Sequence, residues 1–175
     1  MYTSDLLVEG HYATVLALGD NQYDSGSLSD YQAYFSPTWG RVEALHQARP
    51  REPRVRDRWS GRLLRLLRPA AYHAFWRDLY AAGADVVLNG HEQNYERFAL
   101  QNPSGVADPL GIGEFVVGTG GNSHYGFGSP IANSQVRNSD TFGILKLTLG
   151  PTSYQWQFVP EGGKSFTDRG SRPCH

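Results

Sequence analysis

Three side chains with metal-binding chemistry follow apolar runs that stop at glycine. Asp20 follows Leu16-Ala17-Leu18-Gly19, Tyr23 lies three residues further on, and His91 follows Val86-Val87-Leu88-Asn89-Gly90. A carboxylate at a strand end can bridge two hard cations, as a dinuclear hydrolytic centre requires. A phenolate three residues on is close enough to reach the same ion. A neutral imidazole is a ligand for a divalent or trivalent metal. Each residue also has a plainer reading: a strand-terminating aspartate is often a turn former or helix cap. The two apolar runs with their polar tips form a far more specific pair than either does alone.

The elements that must position these residues are legible from pattern. Ala13–Leu18 and Ala84–Leu88 read as buried strands ending at glycine turns, where α/β sheets place their chemistry. Residues 4–10 read as the end of a helix closed by Gly10. Ser29–Phe35 reads as a short helix capped by Ser29 or Ser27 and ended by Pro37. Ala70–Ala82 is predicted as a helix, with Tyr72, Phe75, Trp76, Leu79 and Tyr80 at helical spacing and Gly83 as its cap. Tyr95–Leu100 and Glu114–Val117 read as further strands, the second running into the turn Gly118–Gly121. Phe142–Leu149 and Ser153–Val159 read as a hairpin around Gly150-Pro151, with Ile144, Leu147 and Leu149 as its apolar pattern. The order is mixed α/β first and all-β last, with no internal repeat.

Composition bounds the rest. A chain of 175 residues can bury one core, and its 20 glycines and 10 prolines imply many turns. No apolar run reaches the ~18 residues of a membrane span. Met1–Asp5 lacks the basic start and apolar run of a signal peptide, which leaves the compartment open. Cys174 is the single cysteine, so an intrachain disulfide is excluded. The formal net charge of −1 hides an asymmetry: residues 46–69 carry eight arginines and two acids, which leaves eight basic and 15 acidic residues elsewhere.

The paired motifs, Gly19-Asp20-Asn21-Gln22-Tyr23 and Asn89-Gly90-His91-Glu92-Gln93-Asn94-Tyr95-Glu96-Arg97, resemble those of the purple-acid-phosphatase-like metallophosphoesterases. The resemblance extends through Asp30–Val42, Phe75-Trp76, Gly118–Gly128 and Phe166–Asp168 onward, leaving out 46–69. It implies an α/β fold: a metallophosphoesterase β-sandwich flanked by helices, here partial, with a C-terminal antiparallel β segment. It also implies hydrolysis of phosphomonoesters or diesters at a dinuclear centre of iron with zinc, manganese or a second iron.

Carried over by position, Asp20 would bridge the metals, Tyr23 would bind the ferric ion as tyrosinate, and His91 would bind the divalent ion. Tyr95, Glu96 and Arg97 would be supporting residues. Asn21 and Asn94 could hydrogen-bond a phosphate or simply shape turns. Gln93 stands where the family has a further histidine, and a neutral amide is a poorer metal donor than imidazole. An Asp-x-Gly motif before Asp20, a Gly-Asn-His-Glu motif after it, and the histidine preceding the Gly-His-x-His motif have no counterpart. The surviving ligands are expected to hold at most one ion, weakly, so activity is expected to be impaired or absent. The competing expectation is a non-catalytic α/β remnant that binds one metal or a partner. His124, in its glycine-rich loop, reads as a surface histidine or a contact at the cleft rim, and His11, His73 and His175 read as solvent-facing.

Residues 46–69 read HQARPREPRVRDRWSGRLLRLLRP. As written, this is a solvated loop or a basic amphipathic stretch able to bind nucleic acid or a membrane surface. A third reading accounts for more. Codons exist for this peptide that, read one base later, give TKPAPGNHEYATGGAAGYFDYFG. That string contains the missing Gly-Asn-His-Glu motif where the family carries it, followed by a family-like aromatic segment. We read 1–175 as one incomplete domain in which 46–69 is an off-frame insert, with a deletion restoring the frame before Ala70.

Overall fold

The computed structural model describes residues 3–10, 12–16, 18, 32–33, 41 and 69–175, the last span with backbone only at 69–73. Asp20, Asn21, Tyr23, His11, most of the predicted helix 29–35, and the Arg-rich segment up to Arg68 lie outside these residues.

Helix α1 spans Thr3–Glu9 and helix α2 spans Pro69–Ala81. Proline suits the first turn of α2, where its missing N–H costs no helical hydrogen bond. The helix ends in a double hydrogen-bonded cap: Gly83 N–H donates to the Tyr80 carbonyl at 3.1 Å and Ala84 N–H to the Leu79 carbonyl at 3.0 Å, with Gly83 at φ +70°. Trp76 is buried, while Phe75, predicted on the same apolar face, is 57% exposed. The inward face of α2 is narrower than the sequence suggested and includes Trp76, half-buried Leu79 and half-buried Tyr80.

Seven strands form two sheets. The first contains β1 (Val86–Asn89), β2 (Tyr95–Phe98), β3 (Gly113–Val117) and β4 (Ser134–Asn138) in the order β1-β3-β2-β4. β1 runs parallel to β3, with Val86 opposite Gly113 and Asn89 opposite Val116, and β2 is antiparallel to both β3 and β4. The second sheet is an antiparallel meander of β5 (Gly143–Leu149), β6 (Ser153–Pro160) and β7 (Arg169–Pro173). The architecture is therefore α/β in the broad sense, mostly strand, and antiparallel towards its C-terminus as expected. No helix among the described residues is long and apolar enough to cross a membrane.

The two sheets meet across one aromatic core. Strand β6 alternates cleanly, with Tyr154, Trp156 and Phe158 buried and Gln155 and Gln157 exposed, because successive strand residues point to opposite faces. These rings pack on Tyr95 and Phe115 of the first sheet, with Tyr95 to Phe158 centroids at 4.9 Å and Phe115 to Trp156 at 5.4 Å. Each fully buried phenylalanine contributes roughly 2–3 kcal/mol.

Several sequence expectations are corrected. Ile144 faces away from Leu147 and packs with Leu7 and Val15, so α1 rests on the far side of the second sheet. Leu149 is 73% exposed. It lies past the covered part of β5, where alternation alone does not signal burial. Within 13–18, Val15 forms a single β-bridge while Leu16 is 56% exposed, so the described residues do not make the continuous strand the apolar run suggested. Val86, Val87 and Leu88 are half-buried rather than buried. β1 lies at the end of the described sheet order, with one named strand neighbour.

Candidate functional site

Because β1 and β3 are parallel, their C-terminal ends open on the same edge of the first sheet. Two loops leave that edge: Gly90–Asn94 after β1 and Gly118–Tyr125 after β3. Crevices outside the carboxyl ends of parallel strands are the usual ligand sites of α/β sheets.

The first loop is tightly folded. Glu92 N–H donates to the Gly90 carbonyl at 3.0 Å across His91, whose φ is +76°. A three-residue turn centred on a positive φ is strained for a residue with a side chain. Gln93 follows with φ +45°, so two non-glycine residues within three positions hold left-handed backbone. Such outliers persist where the surroundings over-determine them, and they cluster at functional sites. The turn leaves His91 exposed and Gln93 and Asn94 buried.

Leu18 lies against this turn. A Cβ built on Gly90 would lie 2.9 Å from the Leu18 carbonyl oxygen and 3.1 Å from the Leu18 Cβ. Glycine is required there because the backbone at Leu18 passes directly over it. Leu18 is two residues before Asp20, so the chain leading to the first motif lies against the start of the second.

The second loop clasps the first. Gly118 N–H donates to the Asn94 carbonyl at 2.9 Å, and Tyr125 N–H to the Gln93 carbonyl at 3.2 Å. Ser123 Oγ donates to Gln93 Oε1 at 2.5 Å. His124 Nδ1 lies 3.3 Å from the same Gln93 carbonyl, and its ring stacks on Phe142 with centroids 3.9 Å apart. A Cβ on Gly118 would stand 2.4 Å from the Gln93 nitrogen, so the close approach of the loops depends on glycine there. The position that the family resemblance assigns to a histidine is thus occupied by a buried amide whose oxygen is bound to Ser123.

Tyr95, Glu96 and Arg97, the expected supporting residues, make polar contacts below the loops. Asp168 Oδ2 accepts from Tyr95 Oη at 2.7 Å, Arg97 Nε at 2.6 Å and Trp156 Nε1 at 3.2 Å, while Arg97 Nη2 donates to Oδ1 at 3.2 Å. This network ties the two sheets together under the site. Burial, and then the bond to Asp168, push the Tyr95 hydroxyl far above its ordinary range and keep it a donor. Glu96 lies 3.6 Å from Arg137 Nε and accepts from Ser134 Oγ at 2.5 Å.

A further acid was not singled out from the sequence. Glu114 on β3 is 7% exposed and accepts from Asn89 Nδ2 at 2.6 Å and from Gln101 Nε2 at 3.2 Å. Burial raises its pKa, the Asn89 bond opposes this, and nearby Glu96 adds to the rise. Its one sequence signal is an acid inside an otherwise apolar strand. His175 is exposed, as expected, and its Nδ1 lies 3.0 Å from Asp85 Oδ1.

Of the predicted metal ligands, His91 is at the described edge, while Asp20 and Tyr23 lie outside the described residues. No cluster of three or more His, Cys, Asp or Glu able to hold a metal occurs among the described residues. No protein-family model matches the chain, and no curated protein matches it at a significant level.

Proposed function

We propose that this chain is a metal-dependent phosphoester-hydrolase scaffold of the purple-acid-phosphatase-like kind that keeps part of its metal site and little or no turnover. The observation that carries the reading is the packing of Leu18 against Gly90. It puts Leu18, the last residue of the first apolar run, against the turn that holds His91, and a metal site shared by the two motifs would require such an approach. The strained backbone at His91 supports the same reading. A bound divalent ion in such a site would polarise a phosphate and lower the pKa of an attacking water. The chain's own contribution is to present His91 on a rigid turn and to fix that turn through Gln93, Ser123 and Gly118.

Three ligands cannot define two metals, so the expected behaviour is one weak ion and negligible hydrolysis. Calorimetric titration with zinc should show a single weak site that His91→Ala removes. Turnover of p-nitrophenyl phosphate with iron, zinc or manganese should stay at background. Robust turnover abolished by Asp20→Ala would instead mean that an intact two-metal centre survives. An absence of metal binding would leave a non-catalytic remnant.

A further inference from the structure

His124 is half-buried, and its two ring nitrogens differ in their surroundings. Nδ1 faces the Gln93 carbonyl oxygen at 3.3 Å. A carbonyl oxygen can only accept, so Nδ1 carries the hydrogen and Nε2 carries the lone pair. Nε2 is buried and has no hydrogen-bond partner. The ring is held nearly parallel to Phe142, with an interplanar angle of 23°, which restricts its rotation. One nitrogen pinned by a backbone carbonyl and the other left bare is the arrangement of a histidine prepared to bind a metal.

A second buried acceptor lies next to the same peptide. Asn94 is 6% exposed, and its Oδ1 has no hydrogen-bond partner. Asn94 follows Gln93 in sequence and His124 bonds to the Gln93 carbonyl, so both acceptors flank one residue. Buried polar atoms are almost always partnered, and an unpartnered acceptor on each of two residues adjoining Gln93, one in sequence and one through a hydrogen bond, calls for a donor or a cation. A transition-metal ion accepts both imidazole nitrogen and amide oxygen.

We propose that His124 is a metal ligand of this chain, supplying through Nε2 the imidazole that Gln93 cannot, with Asn94 Oδ1 as an accompanying oxygen donor. The proposal rests on the metal-site reading above, and its test separates the two. Zinc alone is titrated calorimetrically into the full chain as wild type, His124→Phe and His91→Ala. Phenylalanine keeps a ring against Phe142 while removing the nitrogen. The expected result is at least a tenfold loss of zinc affinity in His124→Phe, with a thermal midpoint in chelator close to that of wild type. As a measurement that needs no variant, the Nε2 nitrogen of His124 in histidine-labelled wild type should shift on zinc addition while Nδ1 stays protonated. Zinc binding that His91→Ala abolishes but His124→Phe leaves unchanged, with no shift at Nε2, would overturn this proposal and keep the metal site. If wild type binds no zinc, both readings fall.

Discussion

At the scale of single residues, the acids of this fold have opposite roles. Asp168 gathers three donors on one oxygen between the sheets, and its partner Arg97 is itself largely covered, with side-chain exposures of 12% for Arg97 and 7% for Asp168. Removing one member of a buried pair leaves the other charge uncompensated, so Asp168→Ala should cost about 3 kcal/mol in chemical denaturation. A loss under about 1 kcal/mol would show that the network is incidental to stability. Glu114 works the other way. Burial raises its folded pKa above the ordinary 4.5, so the folded state holds its proton more tightly than the unfolded chain does. Its ionisation therefore costs stability at neutral pH, and that cost disappears as pH falls below the ordinary value. The stability difference between Glu114→Gln and wild type should accordingly move in favour of glutamine as pH rises from 4 to 7. A difference that stays flat over that range would mean Glu114 titrates like a solvent carboxyl. Asp168 was legible only as part of a family-like C-terminal stretch, and Glu114 not at all, because burial of an acid depends on what covers it.

At the scale of elements, the site edge depends on two loops whose approach is set by glycine. Gly118→Ala would force a methyl to within 2.4 Å of the Gln93 nitrogen. We expect a stability loss of about 1–3 kcal/mol, the usual cost of overpacking. The damage should be local: amide exchange should rise at Gln93–Asn94 and Tyr125 before it rises in β6. Unchanged exchange in the 91–94 turn would contradict the clasp. Strands β1, β2, β3, β5 and β6 and helix α2 were readable because their apolar periods are strong and the cap of α2 is explicit. Strands β4 and β7 were not expected. Ser134–Asn138 and Arg169–Pro173 contain few apolar residues and become strands by pairing at sheet edges with β2 and β6. The hairpin 143–160 was found, but its faces were not. Ile144 and Leu147 both satisfy an apolar pattern, and only the packing of α1 on one side and of Tyr95 on the other separates them.

At the scale of the whole molecule, the core that joins both sheets is drawn, among the described residues, from 86–174. The shifted-frame reading predicts that the gene's codons for 46–69 spell Gly-Asn-His-Glu-Tyr one base later, and codons that do not would end that explanation of the eight arginines. The sequence by itself determined the two apolar runs ending at glycine, the resemblance that their polar tips carry, and the antiparallel hairpin of the C-terminal half. These follow from residue identity and local periodicity, which do not depend on distant parts of the chain. Only the tertiary structure decided that Leu18 packs against Gly90, that Gln93 Oε1 accepts from Ser123, and that His124 faces the Gln93 carbonyl through Nδ1 while its Nε2 has no partner. Those facts arise where segments far apart in sequence meet, and the parallel pairing of β1 with β3 is what brings their loops to one edge.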